Sequence, residues 1–224
     1  MYTGVELLTD VVAGESSCPE KNLLELLTIY NNIKPKIEER LKDFSFLWKC
    51  SSDKTIFREL AFCILTPRSK AKICWKAVVQ MDAKGVLFDG TAEEILPYIH
   101  NIRFNKNKAK YIVEARHHFI RNGEYYIKDI LKEKGIEKDN TSVFEIRKWL
   151  SQTINGIGMK EASHFLRNIS FGEDIAILDR HIITTMIKLG MVDSKPKMLS
   201  EKRYLELEER LRRLAKQVSI PMDH

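Results

Sequence analysis

Apolar residues recur at three- and four-residue spacing along nearly the whole chain. Leu23, Leu26, Tyr30 and Ile33 form one stripe, continued by Ile37 and Leu41. Phe57, Leu60, Ala61, Ile64 and Leu65 form a second, and Ile73, Cys74, Ala77, Val78 and Met81 a third. Ile112, Val113, Phe119 and Ile120 follow, and Tyr204, Leu207, Leu211, Leu214 and Val218 mark a late, strongly charged helix. This spacing lines one face of an α-helix with apolar side chains. No run of four or more residues alternates convincingly with period two. An all-α fold without a sheet is therefore predicted.

Short punctuators separate the stripes: Thr66-Pro67-Arg68-Ser69, Gly90-Thr91, Asn105-Lys106-Asn107, Gly123 and Asp139-Asn140-Thr141-Ser142. Thr91 with Glu94 three residues later predicts a capping box. Residues 1–20 carry no clear stripe and read as a loosely held arm. Lys132 to Asn140 is polar and reads as a surface connection.

Composition narrows the class. The 224 residues suffice for one good-sized domain or two small lobes, and the formal charge of +6 favours an anionic partner. No stretch of eighteen apolar residues is present to span a membrane. Residues Met1 to Cys18 contain Glu6, Asp10 and Glu15 and lack a basic n-region, unlike a secretory signal. Cys18, Cys50, Cys63 and Cys74 match neither a zinc ribbon nor a Cys-x-x-Cys motif. The expectation is a reduced, cytoplasmic protein that uses neither metal nor cofactor, with Cys63 and Cys74 as small core side chains.

The residues that point to chemistry lie near position 155. Phe144, Ile146, Trp149, Leu150 and Ile154 predict one helix, and Ala162, Phe165, Leu166 and Ile169 a second. Between them stands Asn155-Gly156-Ile157-Gly158. Two glycines one residue apart suit a tight turn that a ligand can approach, and Ile157 would plug the turn into the helix pair. The first amides of the second helix would face a phosphate. Such a hairpin grips one DNA phosphate without reading sequence. On the glycines alone, a plain connection between two helices is the simpler reading.

Lys160 falls in the first turn of the second helix, where the helix dipole repels a cation. The same field favours the neutral amine that Schiff-base chemistry requires. Nineteen positions on, Asp179 follows the apolar segment Ile175-Ala176-Ile177-Leu178 and precedes a helix of roughly Arg180 to Leu189. An aspartate there is most simply an N-cap. Its apolar approach suggests partial burial, and a partly buried carboxylate needs a partner such as a lysine. Arg180 and His181 are expected to pack or pair locally.

Two segments are rich in cations. Residues 64–76 contain Arg68, Lys70, Lys72 and Lys76 without an acid, and residues 100–116 contain Arg103, Lys106, Lys108, Lys110 and Arg116 against Glu114 alone. Such clusters suit a phosphate track and predict salt-dependent binding. A solvated helix face is the competing explanation for each. Phe104 would serve as a wedge for the gap a flipped base leaves, or as a buried loop aromatic. Trp75 and Trp149 stand at helical spacing and read as packing residues.

The run Asn155-Gly156-Ile157-Gly158-Met159-Lys160-Glu161-Ala162-Ser163-His164-Phe165-Leu166-Arg167-Asn168-Ile169, followed by Ala176-Ile177-Leu178-Asp179-Arg180-His181-Ile182, resembles the helix–hairpin–helix, Gly/Pro…Asp superfamily of DNA glycosylases. Within it, the likeness is to the archaeal and bacterial branch of 8-oxoguanine DNA glycosylase/AP lyases. Glu59 to Pro67, Arg103-Phe104 to Tyr111, and Pro196 to Leu207 also resemble that branch, so the likeness runs from about residue 25 to the end. The Lys160–Asp179 pairing is its specific part.

The resemblance implies two helical lobes with a cleft between them: one of about residues 55–140, the other of about 21–54 with 141–224. It implies Lys160 as nucleophile and Asp179 as the carboxylate that stabilises charge on the sugar and helps position or deprotonate the lysine. It also implies double-stranded DNA with a damaged base as partner; a monomer is expected, with DNA contacts from Asn155, Gly156, Ile157 and Gly158 of the hairpin and from Arg68, Lys70, Arg103, Phe104 and Lys108 of the cationic segments. The superfamily's iron–sulfur branch places four cysteines near its C-terminus, whereas here the last is Cys74. The favoured branch normally continues past Pro221-Met222-Asp223-His224 into an aromatic tail ending in lysine that helps recognise the base; this sequence stops first. The alternatives are a glycosylase for an oxidised pyrimidine or alkylated purine, and a non-catalytic helix–hairpin–helix DNA-binding module.

Overall fold

The structure is a computed structural model that describes residues 18–138, 140–196 and 198–224. Its helices are α1 (Cys18–Cys50), α2 (Asp53–Leu65), α3 (Ala71–Ala83), α4 (Ala92–Ile95), α5 (Asn105–His117), α6 (Ile127–Glu133), α7 (Asn140–Thr153), α8 (Met159–Asn168), α9 (Arg180–Lys188) and α10 (Glu201–Val218). A short 3-10 turn, Leu96–Tyr98, extends α4. The all-α expectation holds for the bulk of the chain. Most of the arm expected at residues 1–20 lies outside the described residues, and α1 begins at Cys18. Among the described residues, no helix is long and apolar enough to cross a membrane.

Residues 43–172 make one compact unit; the chain up to Lys42 and Glu173–His224 make the other. The expected division put the hairpin with the C-terminal helices, but α7 and α8 belong to the unit of residues 43–172. The reason is α2, the apolar centre of that unit, with nine buried residues from Ile56 to Leu65. It packs against α3, α5, α6 and α8, while α7 packs against α8. Ser52 caps its start by accepting from the Thr55 amide at 3.3 Å.

One small sheet was not expected. Strands β1 (Ile120–Arg121) and β2 (Glu124–Tyr125) pair antiparallel across Asn122 and Gly123. Both turn residues have positive φ, 51° and 82°. That is the backbone an Asn-Gly two-residue hairpin turn requires. The strands are two residues long, too short to show an alternation.

The predicted capping box is present: the Thr91 amide donates to Glu94 Oε2 at 2.7 Å, and the Glu94 amide donates to Thr91 Oγ1 at 3.3 Å. The loop before it is closed by Arg116, a buried guanidinium that donates to the carbonyls of Val86, Leu87 and Gly90. Beside it, Tyr125 donates its hydroxyl to Phe88 O at 2.9 Å, and burial pushes that phenol up to about 12. Cys63 and Cys74 are fully buried as expected, and burial raises both thiols.

In the other unit, Asn22 on α1 donates to Lys188 O at the end of α9, at 2.7 Å. α10 holds the segment that precedes α9. Tyr204 donates its hydroxyl to Ala176 O at 2.6 Å and accepts the Leu178 amide at 3.2 Å, while Glu208 accepts the Ala176 amide at 2.7 Å. Both anchoring side chains are almost fully buried, which makes the strap a fixed support.

Candidate active site

The turn between α7 and α8 starts from a continued helix: the Ile154 amide donates to Leu150 O and the Ile157 amide to Ile154 O. Ile157 is buried, as expected of a plug. Gly156 has φ +84°, a region that favours glycine. A Cβ there would also lie 2.6 Å from Cδ2 of Tyr111 on α5. The Asn155 side-chain amide donates to Glu114 Oε2, also on α5, at 2.9 Å. Helix α5 thus braces the hairpin at two points.

Gly158 is the N-cap of α8 and has extended backbone, φ −98° and ψ −174°. A glycine has no side chain to accept from the first-turn amides, so those of Met159, Lys160 and Glu161 suit an external acceptor such as a phosphate. Lys160 is the second residue of α8, in the first turn as predicted. Its side chain retains 26% exposure, and Nζ lies 3.2 Å from Glu161 Oε1.

Asp179 is the N-cap of α9: Oδ1 accepts both the His181 amide at 2.8 Å and the Ile182 amide at 2.9 Å. Capping uses a single oxygen, and Oδ2 plays no part in it. The carboxylate is half-buried, in line with its apolar approach. Arg180 and His181 pair with each other at 3.1 Å, as the local reading expected. Lys160 and Asp179 belong to different units.

The cationic segments divide into surface and interior. Arg68, Lys70, Lys72 and Lys76 are exposed, as are Arg103, Lys106 and Lys110. Arg116 and Lys108 are not. Lys108 was expected to touch DNA, but its side chain is buried, with Nζ donating to Leu65 O at 2.7 Å, Pro67 O at 2.7 Å and Ser69 Oγ at 3.2 Å. Burial draws this amine below the usual lysine range. Lys108 therefore fastens the turn after α2 instead of presenting a charge to solvent.

That turn carries Arg68 at φ 55°, and it faces Phe104 at φ 62°. Phe104 is 52% exposed, with the Arg68 and Arg103 guanidinium carbons 6.0 and 5.2 Å from its ring centroid. Two non-glycine residues held in left-handed backbone, one an exposed aromatic flanked by two arginines, mark strain retained at a surface. Phe104 is therefore not a buried loop aromatic. Trp149 packs edge-on against Phe119, and Trp75 edge-on against Phe62 with 37% of its surface open.

Sequence reasoning passed over Tyr111, Glu114, Glu161, Tyr204 and Glu208. Glu161 had a signal, an acid three residues after the helix start. The others act across the chain and leave no local pattern. Among the described residues, no group of three or more His, Cys, Asp or Glu side chains is placed to hold a metal ion.

A pair of helices joined by this glycine turn, the second opening on a lysine, makes the chain a helix–hairpin–helix protein. A family model described as 8-oxoguanine DNA glycosylase matches residues 37–220, and the chain belongs to that family. An 8-oxoguanine DNA glycosylase/AP lyase of Fusobacterium nucleatum is 43% identical over 201 residues, 89% of each chain. One of Methanocaldococcus jannaschii is 36% identical over 194 residues, 86% of each. The crystal structure of the Thermotoga maritima 8-oxoguanine DNA glycosylase is similar with a TM-score of 0.77, 34% identity and 92% of each chain covered. The Methanocaldococcus jannaschii glycosylase/lyase, solved with a 15mer DNA containing 8-oxoguanine, gives a TM-score of 0.75 at 33% identity, over 91% of this chain and 90% of that one.

Proposed function

We propose that this chain is a bifunctional DNA glycosylase/AP lyase that excises 8-oxoguanine from double-stranded DNA, with Lys160 as nucleophile and Asp179 as its carboxylate partner. The observation that carries the reading is a lysine in the first turn of a glycine-capped helix, directly after a hairpin suited to one backbone phosphate. Membership of the 8-oxoguanine glycosylase family supports the substrate class.

The damaged nucleotide leaves the stack, and Phe104 takes the space it vacates. Arg68, Lys70 and Arg103 hold phosphates around it, and the hairpin amides hold one more. Lys160 Nζ bonds to C1′ while the C1′–N9 bond breaks, the electron pair leaving with the base, which takes up a proton. Asp179 stabilises the positive charge that develops on the sugar. The amine gives up a proton, the C1′–O4′ bond opens with O4′ protonated, and an imine joins Nζ to C1′. Loss of a C2′ proton then expels the 3′ phosphate oxygen, which nicks the strand, and water hydrolyses the imine to free the lysine.

Borohydride trapping on a duplex containing 8-oxoguanine tests this. The parent protein yields a covalent adduct and Lys160→Gln yields none; an undiminished adduct from Lys160→Gln rules the mechanism out. Asp179→Asn keeps a cap acceptor, so full activity in that variant reduces Asp179 to capping. Duplex binding without adduct in the parent means a binding module, and a panel of other lesions exposes a different base preference.

A further inference from the structure

The carboxylate of Glu161 joins the two parts of the site that the chemistry needs together. Its Oε2 accepts the Gly158 amide of the hairpin at 3.3 Å. Its Oε1 lies 3.2 Å from Lys160 Nζ. The side chain is only 14% exposed, so this pair is shielded from bulk water far more than a surface ion pair. Gly158 leaves the space: a Cβ there would stand 3.3 Å from the same Oε2.

Local helix physics alone asks for less. An acid three residues into a helix caps the first amide whether or not a lysine is near. Here the two oxygens are divided between the hairpin backbone and the amine. A neighbouring cation does not compete for that carboxylate, because Lys108 spends its hydrogens on Leu65 O, Pro67 O and Ser69 Oγ. The lysine stem is long and flexible, with many rotamers open to its tip. Something must fix its tip if the amine is to meet C1′ at bonding distance, since a misplacement of about 1 Å costs on the order of a hundredfold in rate.

We propose that Glu161 is a positioning residue for Lys160: it ties the amine to the hairpin that holds the DNA phosphate, so that the phosphate grip and the nucleophile are aligned through one carboxylate. The inference rests on Lys160 being the nucleophile. Glu161 stands in the same first turn whose amides suit the phosphate, so removing its negative charge eases DNA binding while it loosens the amine.

Glu161→Gln separates this from plain capping, because the glutamine carbonyl still accepts the Gly158 amide, while the NH2 that replaces the second oxygen cannot accept from the Lys160 amine. The measurements are affinity for a duplex with an uncleavable abasic-site analogue, and single-turnover borohydride trapping on 8-oxoguanine duplex at saturating protein. Expected for Glu161→Gln are an unchanged melting temperature, affinity at least equal to the parent, and trapping slowed roughly 10-fold or more. Glu161→Ala, lacking the cap as well, traps no faster than Glu161→Gln. Trapping within twofold of the parent in Glu161→Gln overturns the proposal, as does a loss that only tracks weaker binding or a lower melting temperature. Lys160→Gln is run alongside: if it still forms the adduct, the nucleophile reading fails, an outcome distinct from normal trapping by Glu161→Gln.

Discussion

Gly156 stands against the Tyr111 ring: a Cβ added to the glycine would lie 2.6 Å from Tyr111 Cδ2 and 3.3 Å from Cε2. The glycine also holds φ +84°. Two separable penalties therefore follow from Gly156→Ala, steric contact with a ring and left-handed backbone for an alanine. Together they are expected to lower unfolding stability by about 2–3 kcal/mol. Denaturant unfolding of Gly156→Ala, Tyr111→Ala and the double variant checks this. In the double variant the steric part is relieved and the backbone part, about 1 kcal/mol, remains. Strict additivity of the two single effects contradicts the contact.

Lys108 and its exposed neighbours should part company in two different assays. Lys108→Met removes a charged donor from three acceptors and is expected to lower stability by about 1–3 kcal/mol. It leaves the salt dependence of DNA binding close to the parent's. Arg68→Ala, Lys70→Ala and Arg103→Ala do the reverse: stability changes little, and each lowers the slope of log affinity against log salt by about 1. Melting curves with a salt titration of duplex affinity distinguish them. A reduced slope for Lys108→Met would mean its amine reaches a phosphate after all.

Acid should expose the capping box at α4. Glu94 is held below the usual carboxyl range, first by the Thr91 amide and then by the Thr91 hydroxyl. A carboxyl lowered on folding contributes stability that is complete above its unfolded value and disappears as pH falls through the folded one. Stability curves of the parent and Glu94→Gln should therefore differ at neutral pH and converge between about pH 5 and about pH 3. Glu133, lowered by Arg121, and Glu209, lowered by Arg212, titrate in the same window and are common to both proteins, so only the difference curve reports on Glu94. A difference that stays constant into acid rules out the linkage.

The helices were legible because their apolar residues recur at helical spacing, although Ile33 and Ile73 of two stripes stay exposed, and the Thr91–Glu94 cap because its two partners stand three residues apart. The positions of Lys160 and Asp179 at helix starts were legible for the same local reason. The strands were missed because two residues do not alternate, although Asn122-Gly123 carried the turn signal. Lys108 and Arg116 looked like surface charge. Their acceptors are carbonyls 43 and 29 residues away, at Leu65 and Leu87, and nothing in a cationic run encodes so distant a partner. Tyr204 and Glu208 were invisible as supports of the Asp179 strap because they bond backbone, which has no sequence signature.

Phe104 shows the conflict between stability and use most directly. Its φ of 62° disfavours a large side chain, and 52% of its surface stays exposed, so it gains little from burial in return. Such a residue persists where the ring itself is needed. Phe104→Gly relieves the backbone strain at the start of α5, offset in part by the extra freedom of glycine in the unfolded chain. Its stability is expected to equal the parent's or exceed it by up to about 1 kcal/mol. Excision from duplex DNA should nevertheless fall, because no ring fills the space of the extruded base. The loss should shrink on a lesion in single-stranded DNA, where no opposite strand needs to be held apart. Single-turnover excision on matched single- and double-stranded oligonucleotides, read beside a melting curve, checks all three statements. Equal losses on both substrates would remove the wedge role and leave Phe104 as a general contact.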